Sequence, residues 1–280
     1  ICILYCRGIE VPFVSKFRSE RMEAICDLFS KSDYDVIFLE EVWSNSDFKK
    51  ICDRLGHILP YSHYFHSGFI GSGVCIFSKF QIIETLFHRF QINGFPHKLQ
   101  HGDWFGGKGM GMCQILVDGF KVNLYITHLH AEYSRTHDIY LAHRIAQSFE
   151  GSQFIKHTSQ NCDFMILGGD LNIRTEDIGY KLFISIAGLA DSWIDKKASK
   201  TICEGNTCDR KDNIFTALDA PDFPAGQRID YLLYRNNKGY VSVEECDVLS
   251  HQVPDKHYRI SDHEAVTATF KIQKSDSGGN

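Results

Sequence analysis

The feature that most constrains this chain is a series of short apolar runs, none longer than eight residues, spaced along its whole length. They fall at residues 36–39, 74–77, 114–117, 122–127, 164–167, 229–234 and 265–272. Runs of this length, bounded by polar and glycine-containing stretches, suit buried strands rather than helices. None approaches the eighteen consecutive apolar residues a bilayer-spanning helix needs. A few helical patterns lie between them. Ser19 is placed to cap a helix whose Met22, Ile25, Cys26 and Phe29 share one face. Ile139, Ala142, Ile145, Ala146 and Phe149 form the apolar face of a second. Strands dominate, with helices inserted between pairs of them. Two mixed sheets packed face to face, with helices covering their outer sides, would bury the runs on both faces, and this predicts an α/β, four-layer αββα sandwich. With no Pro- or Gly-rich linker and no internal repeat, we expect one domain over residues 1–273 and a frayed tail at 274–280.

Composition narrows the classes of function. At 43% apolar and 23% charged residues over 280 positions, the chain can bury a full core. A net charge of −5 with 30 Lys+Arg argues against a broad basic face, so no nucleic-acid partner is expected. The ten cysteines are scattered and form no CxxC pair. They read as free thiols in a reducing compartment, with Cys203 and Cys208 as the one pair spaced to bridge a loop. The first twenty residues lack a signal-peptide profile, and the start at Ile1 without methionine suggests the catalytic portion of a longer protein.

Chemistry gathers where the strands end. The run at 36–39 leads into Glu40-Glu41-Val42-Trp43, which sets an acid at the end of a buried strand. Residues 125–130 close another strand on His128 and His130, which share a face if extended. A zinc pair would need a third ligand nearby, and none stands at ligand spacing. The sharpest segment is Gly168-Gly169-Asp170-Leu171-Asn172. Its two glycines allow close backbone approach, and its carboxylate and amide can orient water and a phosphate oxygen. Arg228-Ile229-Asp230-Tyr231 opens a further strand, and Ser261-Asp262-His263 precedes the last. Adjacent residues of a strand point to opposite faces, so Asp262 cannot orient His263, and Asp230 is the candidate orienter.

In this order, LEEVW, THLH, GGDLN, RIDY and SDHE resemble the DNase-I-like superfamily of metal-dependent phosphoesterases, whose fold is the four-layer sandwich. Within it the chain is most similar to the membrane-associated animal branch of the neutral sphingomyelinases. SGFIGSGVCIFS at 67–78, HGDWFGGK at 101–108, THLHAEYSRTHDIYLAHR at 127–144 and Gly205-Asn206-Thr207 carry that likeness, which covers roughly residues 14 to 270. The resemblance implies Mg2+, with Mn2+ as a substitute, held by Glu41 and near Asp262. It implies His263 as general base with Asp230 as its orienter, and Asp170 with Asn172 as the pair that positions water and phosphate. Asn172 also takes part in substrate recognition, and His128 contacts the phosphate and protonates the leaving oxygen. Asp103 and Lys108 resemble a lipid-controlled aspartate–lysine switch, and Lys108 can also meet the substrate phosphate. The implied activity is phospholipase-C-type hydrolysis of sphingomyelin or a related choline lysophospholipid at a membrane surface, by an intracellular, membrane-associated protein. Nuclease or inositol-phosphate phosphatase activity on the same fold is the alternative, as is a catalytically impaired lipid- or metal-binding descendant.

The likeness departs at the N-terminus. Tyr5 stands where the family carries a metal-site asparagine, Arg7 stands in place of a tryptophan, and Glu10 and Val11 read as an insertion. A phenol is a poor magnesium ligand, so metal affinity should fall. Phe87, Phe90, Phe95, Trp104 and Phe105 form an aromatic group able to meet a membrane interface, of which Phe87 and Phe90 are expected in the core instead. Trp104 and Phe105, flanked by glycines, are the better membrane-contact residues. His137 and His143 are read as structural.

Overall fold

The computed structural model describes residues 1–7, 15–98, 101–201, 203–216 and 226–273. The insertion at Glu10 and Val11 and the tail at 274–280 lie outside the described residues. Among the described residues, twelve strands form two six-stranded sheets. In the first, the order is β11 (Tyr240–Leu249), β12 (Ala265–Gln273), β1 (Cys2–Tyr5), β2 (Val36–Glu40), β4 (Cys75–Ser78), β3 (Tyr61–Tyr64). In the second it is β5 (Ile82–Arg89), β6 (Gly109–Val117), β7 (Phe120–Thr127), β8 (Phe164–Asp170), β10 (Asp230–Asn236), β9 (Ala190–Asp191). Both sheets are mixed: β1 with β2 and β7 with β8 run parallel, and the other strand pairs are antiparallel. Helices α1 (Arg18–Ser30) and α2 (Asn45–Leu55) pack on one outer face and α3 (Leu141–Thr158) and α4 (Ile178–Ile186) on the other. A short α5 (Ser192–Asp195) follows β9.

The core has three layers, as a four-layer sandwich requires. Ile3, Phe38, Ile76, Leu124, Ile166 and Val266 meet between the sheets. Cys2, Leu4, Ile25, Phe29, Ile37 and Phe77 fill the space under α1 and α2, and Met165, Leu167, Phe183 and Leu233 the space under α4 and α3. Alternate residues of one strand therefore serve two different layers, which is why these strands read as unbroken apolar runs.

All seven expected strands are present, most of them extended at one end. The first half of β6 carries Gly109 and Gly111, where any Cβ would run into the Phe87 and Phe65 rings, and these glycines masked the strand in the sequence. β5 is largely exposed, and β11 carries a bulge between Val243 and Glu245 that interrupts its pattern. Two helix expectations need correction. α1 begins one residue before Ser19, with Phe17 at its N-cap in the left-handed region (φ 55°) and no side-chain cap. The α3 face is inverted: Ile139, Ala142 and Phe149 are exposed, and Ile145 and Ala146 only partly covered. The buried face holds His143, Arg144, Gln147, Ser148, Gly151 and Ser152. Its small residues admit α4, since a Cβ on Gly179 would lie 2.7 Å from Ser148 Oγ. Its long polar residues reach backbone: Gln147 accepts from His130 N (2.8 Å) and donates to the Ile92 carbonyl (2.9 Å). Satisfying buried loop backbone outweighs burying an apolar stripe here. His137 precedes the helix, and His143 packs edge-on against Phe95.

Candidate active site

Strand directions bring the polar strand ends to one edge of the sandwich. β1, β2, β7 and β8 all end there, and the antiparallel β10 begins there, with Asp230 opposite Asp170. β12, antiparallel to β1, starts just after Asp262 and His263 at the same edge. The glycine pair in β8 sits where the sheets approach: a Cβ on Gly168 would lie 2.7 Å from Ile3 Cδ1, and one on Gly169 would overlap the Thr127 carbonyl. Across this junction the buried Glu40 carboxylate accepts from Asp170 N through both oxygens (3.0 Å each), so the two sheets share a hydrogen-bonded joint under the site.

His263 Nδ1 lies 2.9 and 3.1 Å from the two Asp230 oxygens, and both residues are buried. Burial alone would favour a neutral imidazole, but Asp230, helped by the neighbouring Cys208, outweighs it and holds His263 well above the usual histidine range. Thr207 anchors this pair. Its Oγ1 accepts from Asp230 N (3.3 Å) and its carbonyl accepts from Glu264 N (2.7 Å). Ser261 Oγ accepts from His263 N (3.1 Å) and donates to the Tyr5 carbonyl (2.6 Å).

On the facing side, Asn172 adopts the left-handed conformation (φ 48°). Its N–H bonds Asp170 Oδ1 (2.8 Å), and its Nδ2 bonds Asp170 Oδ2 and the Leu129 carbonyl (3.1 Å each). With both amide hydrogens used, the amide oxygen is what Asn172 offers outward. Asp170 is buried, and desolvation followed by the Asp230 charge pushes its carboxyl up to about 7.

His128 is buried, with Nε2 3.2 Å from Lys108 Nζ. An ammonium only donates, so Nε2 accepts and Nδ1 carries the proton. Nδ1 is buried and meets no acceptor. Burial and then the Lys108 charge hold His128 well below the usual range, which makes it a neutral donor. Lys108 is in turn bound by Asp103 Oδ1 (2.6 Å) and the Leu129 carbonyl (2.9 Å). Asp103 also accepts from Tyr133 (2.6 Å) and faces His130 Nε2 at 3.8 Å. Although burial works against its charge, Lys108 and His130 keep the Asp103 carboxyl below its ordinary value. This pair is buried, not a surface loop contact.

A divalent cation would need a cluster of hard oxygen donors. Glu41, in the left-handed region (φ 55°), is buried, and desolvation raises its pKa. Tyr5, Glu41, Asp262 and Asp170 lie close enough that all three acids raise the phenol pKa behind burial itself. The Trp43 indole N–H, buried without a hydrogen-bond partner, faces the same carboxylate. Among the described residues, Asp170, Asp230 and His263 bring three ligand atoms within 4.8 Å of one another. Asp230 and His263 already satisfy one another, and the family resemblance adds the Glu41 and Asp262 oxygens beside Asp170 as hard donors. This set fits Mg2+ or Mn2+ in chemistry.

Tyr5, His128, Tyr133, Asp170, Asn172 and His263 line a cavity of about 220 Å³ that Cys208 and Arg174 also border. All nine expected site residues thus fall at one edge, with Asp103 set behind Lys108. Sequence reasoning missed Glu40, Thr207, Ser261 and the buried Arg21, whose guanidinium ties the chain after β1 to the loop before Asp262. The adjacent acids of LEEVW were a signal for Glu40, whereas a helical arginine carries none. All ten cysteines are free, so no Cys203–Cys208 bridge forms.

Comparison with known proteins agrees with this geometry. The model of the Endonuclease/Exonuclease/phosphatase family matches residues 14–263. The chain is 42% identical over 273 residues to Sphingomyelin phosphodiesterase 2 of Homo sapiens, covering 97% of this chain and 64% of that protein. It is 41% identical over 274 residues to a putative neutral sphingomyelinase of Caenorhabditis elegans, covering 93% and 63%. It therefore spans somewhat under two thirds of the length of these relatives. The crystal structure of sphingomyelinase C from Streptomyces griseocarneus superposes with a TM-score of 0.74 at 19% identity, over 95% of this chain and 97% of that one. The chain belongs to the endonuclease/exonuclease/phosphatase family, with near relatives among the neutral sphingomyelinases.

Proposed function

We propose that this chain is the catalytic part of a Mg2+-dependent phosphodiesterase that hydrolyses sphingomyelin, or a related choline lysophospholipid, in phospholipase-C fashion. The observation that carries the reading is the hydrogen-bonded His263–Asp230 pair sharing one small cavity with His128, Asp170 and Asn172. His263, oriented through Nδ1 by Asp230, presents Nε2 to take a proton from water. The water oxygen attacks phosphorus, the bond to the lipid oxygen breaks, that oxygen takes up a proton from solvent, and phosphocholine and ceramide leave. His128, at the cavity wall, would donate to a phosphate oxygen, while the outward amide oxygen of Asn172 and the Asp170 carboxylate would orient the water. Held neutral by burial, His128 suits the phosphate contact that the family resemblance implies for it. A bound cation would supply charge neutralisation on the phosphate and the departing oxygen and lower the basicity of His263.

Two loops beside the site support a lipid surface as the partner. Phe69 is 93% exposed and Trp104 46%, with Ile70 and Phe105 also exposed. Backbone pairing of Gly68 with Gly106, and of Gly107 N with the Gly71 carbonyl, joins them into one tip. Below it Asp103 and Lys108 reach His128, so the tip connects to the phosphate side of the site. No helix among the described residues is long and apolar enough to cross a membrane. An intracellular, membrane-associated setting suits this surface and the free thiols. The test is phosphocholine release from sphingomyelin–detergent micelles. Release abolished by EDTA and by His263→Ala is expected. Activity intact in His263→Ala, or cleavage of plasmid or soluble inositol phosphates faster than lipid, would refute the proposal.

A further inference from the structure

The acids that the family resemblance assigns to the cation are already engaged by the chain itself. Tyr5, the last residue of β1, has Glu41, Asp262 and Asp170 as its nearest charges. Its ring stacks on His263 at 4.3 Å with 12° between planes and meets His128 edge-on at 5.4 Å. Two residues on, Arg7 Nη1 bonds Asp262 Oδ2 at 2.8 Å, with both side chains about three-quarters buried. Glu41 and Asp262, the two acids the family resemblance assigns to the cation, thus already face a phenol and a guanidinium.

Neither group is held casually. The Tyr5 carbonyl accepts from Ser261 Oγ, and Arg7 takes the left-handed conformation (φ 48°) with its carbonyl accepting from Arg21 Nη2 (3.0 Å) and Ser15 Oγ (2.7 Å). Arg21 also bonds the Cys6 and Ile260 carbonyls, on either side of the gap between β1 and the Asp262 loop. The segment is clamped at both ends in the pose that fills the site.

Resting on the phosphodiesterase reading above, we infer that Tyr5 and Arg7 form an internal plug for the cation site: they hold Glu41 and Asp262 in the metal-free protein, and a divalent cation binds only by displacing both. A guanidinium supplies one positive charge where the ion supplies two, so the plug stabilises the acids without replacing the ion in catalysis. Because the Tyr5 ring lies on His263, release of the plug also uncovers the general base. Cation binding and exposure of the base become one event.

The experiment is calorimetric titration of the protein with MgCl2 and MnCl2, alongside Tyr5→Asn, Arg7→Gln and the double variant. Thermal unfolding in EDTA checks that each variant folds. The double variant should bind at least tenfold tighter than the parent, with the single variants between. A second measurement needs no variant: the His263 ring-proton NMR signals, shifted by the stacked phenol, should move toward ordinary histidine positions as Mg2+ saturates. Equal affinity in parent and double variant, absence of binding in every form, or a His263 signal that stays put at saturation would overturn the plug. Phosphocholine release separates this from the functional reading. Release by the parent at an Mg2+ requirement no weaker than the variants' would sink the plug and leave the function standing. Tighter binding by the variants with no release by any form would sink the function and leave the plug.

Discussion

Arg21→Met removes the clamp beneath the site while keeping most of the side-chain volume. Arg21 is fully buried, and its guanidinium donates five hydrogen bonds: to the carbonyls of Lys16 (3.0 Å), Cys6 (3.0 Å), Ile260 (3.1 Å) and Arg7 (3.0 Å), and to Ser15 Oγ (2.6 Å). Hydrogen bonds from a charged donor contribute about 1.5–3 kcal/mol each, a gross sum of roughly 7–15 kcal/mol. Burying the guanidinium costs several kcal/mol in return, and the same burial lowers its pKa. The expected net loss is therefore about 3–5 kcal/mol, most of it from carbonyls left without donors. Arg21→Ala adds a cavity and should cost roughly 1–2 kcal/mol more. In a chain of this size about 1 kcal/mol corresponds to roughly 2 °C, so the midpoint of unfolding for Arg21→Met should fall by roughly 6–10 °C. Urea unfolding followed by tryptophan fluorescence gives the free energy directly. A loss under about 1 kcal/mol would mean that the carbonyls find other donors and would refute the clamp.

The other expectations follow from single contacts. Asp230→Asn should cut the rate constant for phosphocholine release about 10³-fold or more with KM nearly unchanged, because the amide no longer fixes the His263 tautomer; an equal fall in both parameters would point to substrate binding instead. Lys108→Met strands a buried Asp103 carboxylate and should cost roughly 3–5 kcal/mol at neutral pH. The folded pKa of Asp103 lies below its unfolded value, so the pairing stabilises above about pH 4 and is lost as pH falls through the folded value. The stability gap between variant and parent should therefore narrow below pH 4, and a gap constant across pH would contradict the pairing. Phe149→Ser, on the outward face of α3, should change stability by less than about 0.5 kcal/mol, and Gln147→Leu, on the inward face, should cost about 1–3 kcal/mol. The reverse order would restore the apolar face as the buried one. Gly169→Ala should abolish soluble expression or activity, since its methyl would overlap the Thr127 carbonyl and backbone cannot yield cheaply; near-normal behaviour would show that the joint between the sheets can open.

How far the sequence could be read depended on whether a side chain reports its own surroundings. The central strands did so, because residues such as Ile37 and Phe38 enter different core layers and leave no polar face to interrupt the run. The site acids and histidines did so as well, since Asp170, Asp230 and His263 stand next to apolar runs whose directions bring them to one edge. The α3 face did not. Its periodicity is real, but that helix lies over loops whose backbone needs Gln147 and Arg144, and it touches α4 through Ser148 and Gly151, so the apolar stripe faces outward. Periodicity gives the angle of a stripe around a helix and is silent on which side the rest of the chain presents. Arg21 was invisible for a related reason: an arginine in a helix reads as solvent-facing unless one knows that the chain end at Cys6 and the loop at Ile260 both direct carbonyls toward it.

Tyr5 combines the two cases. The sequence marked it as foreign to a metal site and predicted weaker affinity from the chemistry of a phenol as ligand. The fold locates the effect in occupancy: the ring lies on His263, the phenol lies beside Glu41, and Arg7 takes Asp262. A poor ligand would leave acids that repel one another and a loop free to move. Here Arg7 offsets the Asp262 charge, Tyr5 packs beside Glu41 and both are themselves held in place, so the metal-free site is a stable state of its own. On that account the requirement for cation should depend on the clamp as well as on the plug. Arg21→Met, chosen above for its effect on stability, should also raise Mg2+ affinity in whatever fraction remains folded, because a loosened Arg7 carbonyl lets the guanidinium leave Asp262 at less cost. Destabilisation with unchanged cation affinity would show that the clamp serves the fold alone.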